Sequence, residues 1–151
     1  MIDELEQLYR AKLNEFVRTA AAIAGDRETG RDAVQEAFVK AVRTRRRYRG
    51  DGTLEAWVWR IVVNAARDAR RRAKPEGALP DPGGHDDPRR EPLPLRLLTD
   101  RQREVLFLHY YADLDYETIG EALSIRSGTV GATLSAARAT LRRALAKEVA
   151  S

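Results

Sequence analysis

The chain has 151 residues, 43% of them hydrophobic and 33% charged, with a formal net charge of +4. That length holds one ordinary domain or two small ones, and the apolar share excludes global disorder. With no cysteine, there is no disulfide framework, thiolate metal site or catalytic thiol. His85 and His109 are far apart and lack ligand-like company, so neither a metal nor any other cofactor is expected. The acidic start, Met1-Ile2-Asp3-Glu4-Leu5-Glu6, has no long apolar run. It reads as neither a signal peptide nor an anchor, and a cytoplasmic protein without membrane insertion is expected.

In chain order, Leu5, Leu8, Tyr9, Leu13, Phe16, Val17, Ala20 and Ile23 recur at helical spacing, and Gly25-Asp26 breaks that helix. Val34, Ala37, Phe38, Ala41 and Val42 mark a second helix. Arg49-Gly50-Asp51-Gly52 is a turn, because its glycines permit positive φ. Thr53 is placed to cap a third helix, with Leu54, Trp57, Val58, Ile61, Val62, Ala65 and Ala69 as its apolar stripe. All six prolines lie between Pro75 and Pro94, so residues 74–94 read as an exposed linker. Beyond it, Thr99-Asp100-Arg101-Gln102 forms a capping box over a helix containing Val105, Leu106 and Leu108. Asp115 caps a short helix with Ile119 and Leu123. Ser127 is expected to cap a last one with Val130, Leu134, Ala137 and Leu141. The fold class is therefore all-α. Two small helical domains, residues 1–73 and 95–151, flank a Pro/Gly-rich linker.

The second domain contains a helix-turn-helix from about Tyr116 to Leu134. Ile119, Gly120, Leu123, Ile125, Val130 and Leu134 supply its apolar positions in order, and Gly120 leaves room for a close crossing. The second helix then presents its N-terminal residues to a major groove, where Ser127 and the free amides suit a phosphate. Its outward positions Gly131, Ala132, Thr133, Ser135 and Ala136 include none of the side chains that read base edges most directly. Positive charge returns at Arg138, Arg142 and Arg143, and Arg126 precedes the helix. Alone, this module is a weak base reader.

The charge is unevenly placed. Residues 43–74 carry eleven basic and three acidic side chains, net +8, whereas residues 1–42 are net −2, 75–94 net −3 and 95–151 net +1. A charge run is most often a solvated helix face. Here the alternation with acids is missing, and a patch of this kind draws a polyanion through phosphate contacts and counterion release. Arg43, Arg45, Arg46, Arg47 and Arg49 surround Tyr48. On the following helix Arg60, Asn64, Arg67 and Arg71 share one face, with Trp59 beside it. Cations tracking phosphates, with aromatic and amide groups for exposed bases, suit a strand being opened. For Trp59, packing inside its own domain is an equally good reading.

Four stretches in order resemble extracytoplasmic-function sigma factors of the sigma-70 family. Asp32-Ala33-Val34-Gln35-Glu36-Ala37-Phe38 is similar to the family's polymerase-docking helix, and Tyr48-Arg49-Gly50-Asp51-Gly52-Thr53-Leu54 to its specificity loop. Ala56-Trp57-Val58-Trp59-Arg60-Ile61-Val62-Val63-Asn64 resembles its promoter-melting helix. Leu98 to Leu106 leads into the helix-turn-helix as in the family's second domain. The resemblance implies binding to core RNA polymerase and direction of that enzyme to promoters. It implies −10 contacts to duplex and single-stranded non-template DNA from Arg47, Tyr48, Arg49, Gly50, Asp51, Gly52, Thr53, Trp59, Arg60, Asn64, Arg67 and Arg71. It implies −35 contacts from Arg126, Ser127, Thr129, Thr133 and Arg138, and polymerase contacts from Asp32, Gln35 and Glu36. A separate anti-sigma protein is the family's common regulator, and no additional C-terminal domain is expected after Ser151. Two departures stand out: Gly131-Ala132-Thr133 where the family usually has Lys and Arg, and Ser124 at a turn position commonly held by Gly.

Two other classes compete. A stand-alone helix-turn-helix regulator would bind duplex DNA by itself and use residues 1–73 for sensing or dimerisation. That segment shows no ligand-pocket signature, however, and carries the strongest positive charge. An enzyme is disfavoured, because no nucleophile–base pair, phosphate loop or metal cluster is evident.

Overall fold

The computed structural model describes residues 1–73 and 94–150. Nearly all of the expected linker therefore lies outside the described residues; its last residue, Pro94, is buried. Six helices and no strand occur among the described residues: α1 (Ile2–Ala24), α2 (Arg27–Arg43), α3 (Leu54–Ala73), α4 (Asp100–Tyr110), α5 (Tyr116–Leu123) and α6 (Ser127–Ala150). Short 3-10 turns, Arg45–Arg47 and Leu95–Leu97, precede α3 and α4.

The helix ends follow local chemistry. Asp3 and Glu4 sit in the first turn of α1, where the helix dipole favours acids. Gly25, at φ 113°, ends α1 with its N–H on the Ala21 carbonyl. Asp26 then caps α2 by accepting from the Thr29 amide at 2.8 Å. Thr53 caps α3 by accepting from the Ala56 amide at 3.1 Å. The Thr99–Gln102 capping box opens α4, and Asp115 accepts from the Thr118 amide at 2.8 Å to open α5. The two Thr118 hydrogen bonds hold the Asp115 carboxyl below its ordinary pKa. This cap therefore contributes above the ordinary aspartate range and is lost as pH falls through the depressed value. One expectation fails: α6 begins at Ser127 itself, and the Val130 amide closes on the Arg126 carbonyl at 3.0 Å. Ser127 is thus a first-turn residue, and Arg126 takes the capping position with backbone alone.

Ser124 ends α5 at φ 59°, ψ 44°. The left-handed region costs a residue with a Cβ about 1–2 kcal/mol, part of which glycine returns as greater freedom in the unfolded chain. Ser124→Gly should therefore stabilise the protein by about 0.5–1 kcal/mol. A urea melt that moves to lower denaturant would contradict this.

Helices α1, α2 and α3 pack as one group around Phe16, Val34, Phe38, Val58, Trp59, Val62 and Val63. Each such burial contributes about 1.5–3 kcal/mol. Tyr9 and Phe16 meet Phe38 edge-on at 4.9 and 5.2 Å, and Phe16 lies 4.3 Å from Trp59. Lys12 breaks helical geometry inside α1 (φ −126°, ψ 21°), and its ammonium meets Glu55 of α3 at 2.7 Å. In the second group, Val105, Leu108, Ile119, Val130, Leu134 and Ala137 join α4, α5 and α6. Buried Arg103 donates to the carbonyls of Leu95 and Leu98 and also meets Asp100, which fixes the 3-10 turn against α4. The two groups are packed together, α3 on α5 and α1 on α4.

Candidate nucleic-acid interface

Arg45–Arg47 forms the 3-10 turn, and the chain then runs through Tyr48 to Thr53 into α3. Gly50 and Gly52 take φ of 81° and 99°, as a turn built on those two glycines requires. The Tyr48 hydroxyl donates to the Gly52 carbonyl at 2.7 Å and ties the loop across its base. Arg46, Arg47, Arg49, Gly50, Asp51, Gly52 and Thr53 are exposed. On α3 the exposed side chains are Arg60, Asn64, Asp68, Arg71 and Arg72, with Arg67 half-buried beside them. The structure thus brings the loop and the cationic row to one side of the first helical group.

Trp59 is not on that side. It is fully buried against Phe16, and its indole N–H donates to Glu55 at 3.3 Å. The expectation that it lies near the DNA strand is corrected: its ring faces the core and its polar edge is satisfied within the domain. The buried face of α3 runs through Ala56, Val58, Trp59, Val62, Val63 and Ala66, while Leu54, Trp57, Ile61, Ala65 and Ala69 flank it half-buried. The aromatic group beside the loop is Trp57, 5.6 Å from Tyr48, a residue that its spacing had assigned to the core.

Several members of the row already have protein partners. Arg67 grips buried Glu104 of α4 through two hydrogen bonds of 2.6 and 2.5 Å, and this hydrogen bonding raises the pKa of the Arg67 guanidinium above its ordinary value despite partial burial. Arg67 also donates to Asn64 at 3.3 Å. Arg60 donates to the Glu121 carbonyl at 2.6 Å, and Arg71 pairs with Asp68 of its own helix at 3.3 Å.

On α2, Asp32, Gln35 and Glu36 are exposed, with Glu36 3.8 Å from Arg72. In the helix-turn-helix, Gly120 lets the turn close: a Cβ there would stand 2.6 Å from the Ile125 carbonyl oxygen. Arg126, Ser127 and Thr129 are exposed at the start of α6, and Thr133 is half-buried. Gly131 makes room for the Tyr116 ring, which would lie 3.3 Å from a Cβ. Arg138 is engaged by the Tyr110 hydroxyl at 2.9 Å, which raises its pKa, and reaches His109 at 3.4 Å. It belongs to the α4–α6 contact more than to an open face.

Residues 8–76 match the family model for sigma-70 region 2, and residues 95–141 match that for sigma-70 region 4. The chain belongs to the sigma-70 family. Helices α1–α3 and the loop before α3 are its region 2, and α4, α5 and most of α6 its region 4. Among its relatives is an ECF RNA polymerase sigma factor, SigE, of Mycolicibacterium smegmatis, 30% identical over 94% of this chain and 62% of the relative. The chain is 28% identical to the RNA polymerase sigma factor YlaC of Bacillus subtilis, over 96% of this chain and 94% of YlaC. It is also 28% identical to the RNA polymerase sigma-H factor of Pseudomonas aeruginosa, over 80% and 75% of the two chains. The chain therefore spans under two thirds of the first relative's length and most of the other two. The likeness to SigE, an ECF factor, places it in the extracytoplasmic-function group.

Two solved structures share the fold. The sigma factor RpoE from Bartonella quintana, in complex with the anti-sigma factor NepR, superposes with a TM-score of 0.71 at 20% identity, over 94% of this chain and 96% of that one. CnrH, in complex with the cytosolic domain of CnrY, gives 0.72 at 21% identity, over 97% and 90%. No helix among the described residues is long and apolar enough to cross a membrane, and no group of three metal-ligating side chains occurs among them.

Proposed function

We propose that this chain is a promoter-specificity subunit: it binds core RNA polymerase and directs it to promoters for transcription initiation. The observation that carries this reading is a region 2 match and a region 4 match, in that order, in one chain whose excess positive charge lies on the loop and outer face of α3. Asp32, Gln35 and Glu36 dock on the polymerase. The loop from Arg47 to Thr53, with Trp57 beside it and Arg60, Asn64, Arg67 and Arg71 along α3, takes the −10 element and its exposed non-template strand. Cations there hold phosphates, and loop and amide groups receive bases. Arg126, Ser127 and Thr129 meet the −35 duplex at the amino end of α6, where free amides favour a phosphate. Since α6 offers few base-reading side chains, region 4 chiefly positions the complex upstream. The protein works in the cytoplasm, without cofactor and without enzymatic activity of its own, under control of a separate anti-sigma protein.

The test is transcription from the protein's own upstream DNA with core polymerase present. Start-site selection that depends on the chain is expected; failure to bind polymerase or select a start would sink the reading. Tight, sequence-specific duplex binding without polymerase would favour a stand-alone regulator instead. Within the same assay, Asn64→Ala should lower promoter opening by about 5- to 150-fold, the loss of one base contact of about 1–3 kcal/mol, while polymerase binding stays intact. Permanganate footprinting of the melted strand reads this directly, and an unchanged footprint removes Asn64 from the interface.

A further inference from the structure

Three helices of region 4 converge on one guanidinium. Arg138 of α6 donates through Nε to the Tyr110 hydroxyl of α4 at 2.9 Å, and its Nη2 lies 3.4 Å from His109 Nε2. The guanidinium carbon stands 5.6 Å from the Tyr110 ring centroid. Tyr116, in the first turn of α5, completes the group. Its ring lies 5.9 Å from that of His109 and so close to α6 that a Cβ on Gly131 would be 3.3 Å away. Tyr110, and after it Tyr116, hold the guanidinium in its charged form. Both tyrosines are exposed, and Arg138 is half-buried. A guanidinium has five N–H donors in one plane, and a phenol that accepts from it keeps its own O–H to donate. The group is thus a preorganised anion site of one positive charge and two hydroxyls. Its place in the module selects the anion. The first helix of a helix-turn-helix crosses the DNA backbone and the second enters the major groove. Tyr116 opens that first helix, while Gly131, Ser135 and Arg138 follow at i, i+4 and i+7 along one edge of the second. Asp115 and Glu117 flank Tyr116. Their carboxylates repel a phosphate from the amino end of α5 and leave the α6 side as its seat.

We infer that Tyr110, Tyr116 and Arg138 form a clamp for one backbone phosphate of the upstream duplex, and that region 4 of this chain therefore holds its DNA by the backbone more than by the bases. The inference deepens the function proposed above and rests on it. Thr129 precedes Arg138 by nine residues, about 14 Å along a helix, comparable with the major-groove width of about 12 Å. The amino end of α6 takes a phosphate on one wall of the groove, and the clamp takes one on the other. Between them stand Gly131, Ala132, Ser135 and Ala136, which carry no amide or cationic group to read a base edge. Phosphate contacts fix register and orientation without carrying sequence information. The clamp thus positions region 4 on upstream DNA of varied sequence.

The experiment places a neutral methylphosphonate at each phosphate in turn across the −35 region of the protein's own upstream DNA. Fluorescence anisotropy reads binding of the full-length chain, alone and with core polymerase. In the wild type, a phosphate on the wall opposite the amino end of α6 should be sensitive. Its neutralisation should lower affinity about tenfold, as the loss of a hydrogen bond to a charged group does at an exposed site. Tyr110→Phe with Tyr116→Phe keeps both rings. That variant should lose the same factor on unmodified DNA and nothing more when the sensitive phosphate is neutral. Tyr111→Phe, whose ring stacks on Phe107, should behave as wild type. Arg138→Gln should reduce the slope of log affinity against log salt by about one. Single base-pair changes in the −35 region should alter wild-type affinity by less than about fivefold, the smallest discrimination expected of a bidentate base contact. The absence of a sensitive phosphate overturns the clamp, as do equal losses there in the wild type and the Tyr110→Phe, Tyr116→Phe variant. A base-pair change that costs more than the sensitive phosphate overturns the preference for backbone over bases. A chain that clamps duplex without polymerase and selects no start site would lose the sigma reading and keep the clamp.

Discussion

Trp59→Ala should cost about 3–5 kcal/mol of stability, the range for removing a large buried aromatic side chain. Trp59 is completely buried, contacts Phe16 at 4.3 Å and donates to Glu55. A domain stability of about 5–15 kcal/mol leaves little after such a loss. The variant should be largely unfolded near body temperature, with region 2 function gone for that reason alone. Trp59→Phe separates this from a role at the DNA. It keeps most of the ring volume and loses one hydrogen bond, about 1–2 kcal/mol, while Glu55 retains Lys12. Circular dichroism melts should show a folded protein, and that protein should open promoters as wild type does. A folded Trp59→Phe that binds polymerase but fails to open DNA would return the indole to the interface.

Gly30→Ala should cost about 3 kcal/mol, the upper end of the overpacking range. A Cβ there would lie 2.4 Å from the Ala21 amide nitrogen, 2.5 Å from Ala21 Cα and 2.9 Å from the Ala20 carbonyl carbon. All three obstacles are backbone of α1, so no rotamer change relieves them and the helices must part. Alanine's better helix propensity returns up to about 1 kcal/mol and loses to that clash. Gly128, near the start of α6, is the contrast: its Cβ would meet nothing within 4 Å. Gly128→Ala should be neutral or mildly stabilising. Chemical denaturation of the two variants decides the matter, and equal midpoints would mean that α1 and α2 are not in close contact at Gly30.

The same close packing fixes which face α2 turns inward. Ala33, Val34, Ala37 and Phe38 face inward, which leaves Asp32, Gln35 and Glu36 together on the outer side of α2. Their grouping follows from a 3.6-residue period with a well-defined apolar face, and it is legible in the sequence for that reason.

The sequence by itself determined the features governed by neighbours within about four residues. The caps at Thr53, Thr99 and Asp115, the break at Gly25, the positive φ of Gly50 and Gly52 and the short helix that contains Gly120 all rest on interactions of that range. The all-α class and the concentration of positive charge before and along α3 were equally plain. Only the tertiary structure decided which tryptophan is core. The apolar surface of α3 covers more than half its circumference, and a rotation of one residue, 100°, keeps a plausible stripe while exchanging Trp57 for Trp59. Glu55 and the kinked α1 break that near-degeneracy by giving the Trp59 indole an acceptor inside the fold. Tertiary structure alone also decided that Arg138 is held by Tyr110, and that Arg60 and Arg67 meet Glu121 and Glu104. A charge run reports how strongly a face attracts a carboxylate or a phosphate; which of the two it holds depends on what the rest of the chain, dozens of residues away, brings within reach.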